Sequence, residues 1–191
     1  MYFAAVILAG GRARRIGGID KVMLDVGGRT LLDRSLAAVA GADPIVVVGP
    51  RRPAVDPPAG TASVVWTREE PPGAGPLAAL GAGLSALPAD GTAGYQVAVL
   101  AGDLLGITPD TVTRLRAALA DGPGAVGAVL IDDEGYRQWL HGVWWLDPLR
   151  AAVDAAAPGR ALGHVFGRLP LALVPAGSGE AADVDTPDDL P

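Results

Sequence analysis

The sequence predicts an α/β domain in three layers, α/β/α, built on a mostly parallel sheet. Three observations carry that expectation. Short apolar runs of strand length alternate with stretches of helical periodicity, as a βαβ chain requires. The first run, Phe3–Leu8, is apolar throughout and ends in glycines, as a buried strand would. The helical stretches each set their leucines and valines on one stripe, which a sheet can cover.

Phe3–Leu8 is the first strand, and a glycine-rich loop follows it to Gly18. Met23–Val26 with Gly27-Gly28 predicts a short turn or hairpin. Leu32, Leu36 and Val39 fall at i, i+4 and i+7 and predict a helix over Thr30–Ala40. After Pro44, Ile45–Val48 reads as the second strand, and the proline-rich stretch Gly49–Thr61 as loop. Ser63–Trp66 is the third strand. A punctuated loop, Arg68–Gly75, leads to a helix from Pro76 with Leu77, Leu80, Leu84 and Leu87 on its stripe. Tyr95–Leu100 is the fourth strand. Thr108-Pro109-Asp110 is an N-cap with proline at the first helical position, and Val112, Leu115 and Leu119 continue that helix. Ala125–Ile131 and Gln138–Trp145 read as strands, a candidate antiparallel pair. Short helices at Pro148–Ala156 and Arg160–Phe166 precede a last strand at Leu171–Val174. Thr186-Pro187 repeats the cap signal before a final helix. No repeat and no internal boundary is visible, so residues 1–191 are expected to form one domain.

Composition narrows the function. Half the 191 residues are hydrophobic, which argues against disorder. There is no cysteine, hence no disulfide framework and no thiolate metal site; this fits a cytoplasmic protein. The opening residues lack the pattern of a signal peptide, and no apolar run is long enough to span a membrane. A formal net charge of −6 argues against general nucleic-acid binding. The charge is unevenly placed. Arg12, Arg14, Arg15 and Lys21 cluster near the start; Glu180, Asp183, Asp185, Asp188 and Asp189 cluster near the end. These are two solvated segments, or one pole that holds phosphates and one that helps hold their metal. Fourteen of the fifteen basic residues are arginine, so Lys21 is the sole lysine. Lysine is a compact point charge and arginine a planar fork, and at a phosphate they are not equivalent.

The strongest motif runs from Leu8 to Lys21, reading LAGGRARRIGGIDK. It follows the first strand, where the carboxyl edge of an open parallel sheet receives ligands. Its glycines let the backbone approach a phosphate, and turned N–H groups form an anion nest. Arg15 and Lys21 add positive charge. Two commoner glycine motifs fail. A P-loop needs glycine before its lysine and Ser or Thr after it, whereas Lys21 stands between Asp20 and Val22. Gly73-Ala74-Gly75-Pro76-Leu77-Ala78 fits the dinucleotide fingerprint loosely, but a proline-rich loop separates it from its strand. A second signal is Asp103, just past the fourth strand, where a carboxylate suits Mg²⁺ and its phosphates. A third is Asp183-Val184-Asp185 before Thr186: in an extended segment both carboxylates point one way and offer a second metal ligand, or else they form a capped acidic turn.

These motifs resemble those of the molybdenum cofactor guanylyltransferases, the MobA type. The resemblance covers the first loop ("LAGG", "RRIGG", "DK"), Gly75-Pro76-Leu77, Asp103 and the closing "DVDTPDDL". It implies a Rossmann-like fold of the nucleotide-diphospho-sugar-transferase type, and transfer of GMP from GTP to the phosphate of molybdopterin or Mo-molybdopterin, with Mg²⁺. By the resemblance Leu8, Ala9, Gly10, Gly11, Gly18 and Gly75 contact the nucleotide, and Arg15 and Lys21 hold its phosphates. Asp103 binds the metal with Asp185 as second candidate, and Glu69 replaces an aspartate that contacts guanine or ribose. It also implies transient contact with molybdoenzymes or other cofactor-biosynthesis proteins, and no nucleic-acid or membrane partner. There are departures. The family often has Asn where this chain has Gly49, "NVNTPEEL" where it has "DVDTPDDL", and "PCD" where it has "AGD". These bear on base and acceptor more than on reaction type. The alternatives are a relative that uses CTP or a sugar- or lactyl-phosphate acceptor, and a silent nucleotide-binding protein. The two histidines, His141 and His164, and Trp139, Trp144 and Trp145 are expected to be structural or exposed.

Overall fold

A computed structural model describes residues 2–10, 20–52, 64–89 and 94–182. They contain a seven-stranded sheet. β1 (Phe3–Leu8), β2 (Ile45–Val48), β3 (Val64–Thr67) and β4 (Gln96–Ala101) run parallel. β5 (Gly127–Ile131) and β7 (Leu171–Pro175) pair in parallel, and β6 (Arg137–Trp145) is antiparallel to both β4 and β5. The order across the sheet is β3-β2-β1-β4-β6-β5-β7. The mostly parallel sheet and the antiparallel β5–β6 pair are as the sequence predicts.

The central strands show no polar alternation because both faces are covered. Every residue of β1 and β2 is buried. On one face α1 (Leu31–Ala38) and α3 (Pro109–Asp121) pack Leu32, Leu36, Val112 and Leu115 against Ala5, Ile7 and Leu100. On the other, α2 (Pro76–Ser85), α4 (Leu146–Asp154) and α5 (Leu162–Phe166) pack Leu80, Leu84, Leu149 and Phe166 against Val6, Val48 and Val99. These are the three layers.

Helix starts follow local chemistry. The Thr30 hydroxyl accepts from the Asp33 N–H at 3.1 Å, and the Asp33 carboxylate accepts from the Thr30 N–H at 3.2 Å. Thr108 caps α3 in the same way, accepting from the Thr111 N–H at 3.2 Å ahead of Pro109. Such a cap contributes about 1 kcal/mol.

Several boundaries move. α4 begins at Leu146, two residues before Pro148, because the missing proline N–H falls in the first turn, where it has no intrahelical partner. α5 begins at Leu162, not Arg160, and β5 at Gly127, not Ala125. Met23 ends a 3₁₀ turn, Lys21–Met23, and Asp25 and Thr30 then close a single antiparallel bridge. The final helix expected after Thr186 lies outside the described residues. Among those described, no helix is long and apolar enough to cross a membrane.

The chain leaves β1 for β2 on one side, while β4 takes the other side. The carboxyl ends of β1 and β4 therefore border the switch in strand order, where open α/β sheets open a crevice.

Candidate active site

A cavity of about 610 Å³ opens at that switch point. Leu8 and Gly10 line it from the end of β1, Ala101 and Asp103 from the end of β4, and Arg68 and Glu69 from the end of β3. Gly73, Gly75 and Pro76 bring in the start of α2. That helix has no side-chain cap, so its first amides are left for another acceptor. Gly75 precedes it with φ +99°, a conformation open to glycine and costly for other residues. The volume falls in the usual range for small-ligand sites.

Tight backbone packing shapes this end of the sheet. The Ala9 N–H donates to the Val48 carbonyl at 2.8 Å, and the Gly102 N–H donates to the Leu8 carbonyl at 2.9 Å. A Cβ on Gly49 would lie 2.7 Å from the Ala9 carbonyl oxygen, and Gly49 has φ +152°. The Ser35 hydroxyl, buried in α1, donates to the Ala101 carbonyl at 3.0 Å and fixes the strand end that carries Asp103.

Lys21 leads the 3₁₀ turn, and its Nζ stands 2.9 Å from Asp103 Oδ2. The two side chains are 19% and 24% exposed, so the pair stays within reach of a ligand. Glu69 is buried beside them. Its Oε1 accepts from the Gly73 N–H at 2.8 Å, while Oε2 is shut from solvent and has no hydrogen-bond partner among the described residues. An orphaned buried acceptor of this kind costs about 1–3 kcal/mol unless a donor reaches it.

The structure thus brings Leu8, Gly10, Glu69, Gly75 and Asp103 onto one cavity, with Lys21 joined through Asp103. Ala9 lies beneath the surface, 1% exposed. Gly11, Arg15, Gly18 and Asp185 lie outside the described residues, as do Arg12, Arg14, Asp183, Asp188 and Asp189. Of the acidic cluster at the end of the sequence, Glu180 has a structural role. Burial pushes its carboxyl up, but hydrogen bonds from Arg114, the Thr111 hydroxyl and the Gly177 N–H outweigh that and hold it below the usual range. It ties the segment after β7 to α3.

The sequence does not single out Arg52, Pro50, Arg68, Pro72 or Leu140 at this site. The chain has fourteen arginines, and the partner of Arg52, Asp20, is distant in sequence. His141, Trp139, Trp144 and Trp145 behave as packing residues. His141 is 5% exposed, and burial lowers its pKa to about 4, so it is neutral at ordinary pH. His164 is exposed. Trp144 is fully buried against Phe166, with ring centroids 4.6 Å apart, and Trp139 and Trp145 pack on the two cores.

For a divalent cation, the described residues offer Asp103 at the end of β4; the other carboxylate on the cavity, Glu69, is engaged by the Gly73 N–H. The described residues contain no group of three or more acidic or histidine side chains that could hold a metal. A single hard-oxygen ligand matches the way Mg²⁺ binds, with one or two carboxylates and the rest of its shell from phosphates and water. Among the described residues, a closed structural metal site does not fit.

The chain is similar to several known proteins. A molybdenum cofactor guanylyltransferase of Mesorhizobium japonicum is 33% identical over 145 residues, 74% of this chain and 66% of the relative. The bifunctional protein GlmU of Corynebacterium aurimucosum is 36% identical over 153 residues, 72% of this chain and 30% of the relative. The chain thus spans less than two thirds of the length of either. The crystal structure of Rv0371c from Mycobacterium tuberculosis shares the fold, with a TM-score of 0.74, 23% identity, and coverage of 99% of this chain and 96% of that one. The model of the MobA-like NTP transferase domain matches residues 5–171, nearly the whole of the described sheet, and the chain belongs to that family.

Proposed function

We propose that the chain is a nucleotidyltransferase that moves GMP from GTP to the phosphate of molybdopterin and releases pyrophosphate. The observation that carries this reading is the arrangement on one cavity of the Lys21–Asp103 pair, the uncapped start of α2 and the half-satisfied Glu69 carboxylate.

The chemistry asks little of the protein beyond charge and position. A phosphate acceptor is already anionic near neutral pH, so the attack needs no general base. The obstacle is repulsion between acceptor and triphosphate, roughly 4 kcal/mol for each pair of unit charges at 4 Å and an effective dielectric near 20. Lys21 holds the triphosphate and offsets its charge, and the loop amides do the same. Asp103 is the residue that would hold Mg²⁺, which when bound supplies positive charge to the departing pyrophosphate. On this reading Lys21 exchanges Asp103 for phosphate oxygens when the nucleotide arrives.

Base choice falls to Glu69. It lines the cavity, and the single bond from the Gly73 N–H leaves its carboxylate with accepting capacity for a ligand. Guanine presents N1–H and an exocyclic amine side by side. Adenine lacks that paired donor edge and would leave the acceptor unmatched, a mismatch that polar sites reject strongly. Steady-state comparison of GTP, CTP, ATP and UTP with Mg²⁺ and molybdopterin tests the proposal. The highest kcat/KM is expected with GTP. A higher value with CTP would replace the guanylyl reading with a cytidylyl one, and no pyrophosphate release with any triphosphate would remove the enzyme reading. A sugar-phosphate acceptor, the alternative the motifs leave open, is the second compound to assay.

A further inference from the structure

We propose that Arg52 is a positioning residue, which sets the place of Lys21 through Asp20 and so governs affinity for the triphosphate. The inference rests on the nucleotidyltransferase reading of the site.

Arg52 stands four residues past the end of β2. Its Nε donates to Asp20 Oδ2 at 2.7 Å, and its Nη2 donates to Asp20 Oδ1 at 2.9 Å. The same Nη2 donates to the Ala9 carbonyl at 3.0 Å, and Nη1 donates to the Pro50 carbonyl at 3.0 Å. One guanidinium therefore joins three segments: the end of β1, the exit from β2 and the residue before Lys21. The Asp20 carbonyl accepts from the Met23 N–H at 2.9 Å, which forms the turn that Lys21 begins. Lys21 then reaches Asp103 at 2.9 Å. The sequence of contacts runs Ala9, Arg52, Asp20, Lys21, Asp103, and it ends on a residue that lines the cavity.

An exposed ion pair contributes little, because two mobile side chains must be held in one geometry. The Arg52 side chain is 10% exposed, and it grips the carboxylate with two nitrogens while also serving two backbone carbonyls. That fork is a geometry an ammonium cannot reproduce. The sheet does not depend on it, since Ala9 is also held by Val48 and the strand pairing is complete without Arg52. Among the described residues, Arg52 supplies the tether on the Asp20 side chain. Without it the Asp20 charge would also stand uncompensated next to the lysine that meets the phosphates.

The test is calorimetric titration of the intact protein with GTP and with CTP, each with Mg²⁺, alongside thermal melts. Wild type, Arg52→Ala, Arg52→Lys, Asp20→Asn and the double variant Arg52→Ala/Asp20→Asn are compared. Arg52→Ala is expected to weaken triphosphate binding roughly tenfold, with Tm close to wild type, as loss of charge-assisted bonds to one residue predicts. Arg52→Lys recovers part of the loss. Asp20→Asn adds no further loss once Arg52 is gone, because the two act as one unit. In turnover the change appears in KM more than in kcat. Wild-type affinity in Arg52→Ala, or a double variant whose losses simply multiply, overturns the proposal. If Arg52→Ala fails to fold, Arg52→Lys and Asp20→Asn decide: unchanged affinity in both overturns it. A wild type that binds neither triphosphate brings down the nucleotidyltransferase reading as well, whereas binding by wild type and Arg52→Ala alike brings down only the role of Arg52.

Discussion

Past the carboxyl ends of β2 and β4, glycines meet the backbone that follows β1. A Cβ on Gly49 would press on the Ala9 peptide, and one on Gly102 would lie 3.2 Å from Ala9 Cα. Around β6, glycines meet one ring. Gly127 pairs with Trp144 across the β5–β6 ladder, and a Cβ there would enter the six-membered ring of the indole. A Cβ on Gly142 would lie 2.9 Å from its Nε1. In the first region the missing side chain brings three segments together under a ligand site. In the second it makes room for a large apolar residue that completes the core with Phe166. The same residue type therefore serves the site in one half of the sheet and stability in the other, and substitutions should separate along that line.

The largest effect should fall on the site half. Lys21→Ala is expected to lower kcat/KM by roughly 10²–10³-fold, the loss seen when one donor to a developing charge is removed. Arginine there should restore only part of the activity. Stability should change by less than about 1 kcal/mol, because the Lys21–Asp103 pair is partly exposed. Asp103→Asn should abolish the Mg²⁺ dependence of turnover while leaving the melt almost unchanged. Steady-state kinetics with a magnesium titration checks both, and wild-type behaviour in either variant would break the division between the halves.

The next effect belongs to the packing half and depends on pH. Burial lowers the pKa of His141, on β6, to about 4, against the usual 6.5. Between those values the unfolded chain binds a proton that the folded chain does not. Stability is therefore complete above pH 6.5 and falls as pH drops towards 4, by at most about 3 kcal/mol. Denaturant titrations across that window should show the slope, and His141→Leu should flatten it. Gly127→Ala comes next: about 1–3 kcal/mol of destabilisation from overpacking against Trp144, with turnover per folded molecule unchanged. The smallest effect is Gly102→Ala. Its contact at 3.2 Å asks Ala9 to give by a few tenths of an ångström, so KM for the nucleotide should rise a few-fold with little change in Tm. A loss of stability in Gly102→Ala as large as that in Gly127→Ala would erase the contrast.

Much of this was legible in the sequence, for reasons particular residues make plain. Phe3–Leu8 and Ile45–Val48 are apolar without alternation, and only a strand covered on both faces has that pattern. Thr108-Pro109 announced α3 because capping chemistry is local. Asp103 could be named from its place just past the fourth strand, and Glu69 and Gly75 only from the resemblance to a known family. Arg52 could not, because its meaning lies in Asp20 and Ala9, which only the folded sheet brings near. Nor could the place of β6. An antiparallel strand between β4 and β5 leaves no mark on the residues of its neighbours. The role of Glu180 was hidden for the same reason: its charge reads as part of an acidic tail until Arg114 and Thr111 are seen beside it.

Gly49 also couples two turns to one another. The resemblance noted from the motifs sets an asparagine where this chain has glycine, yet a Cβ here would lie 2.7 to 2.9 Å from the Ala9 carbonyl and the Gly10 nitrogen. Asparagine at this position would thus be excluded unless the peptide between Ala9 and Gly10 moved. The residue after β2 and the path of the chain after β1 can therefore change only together.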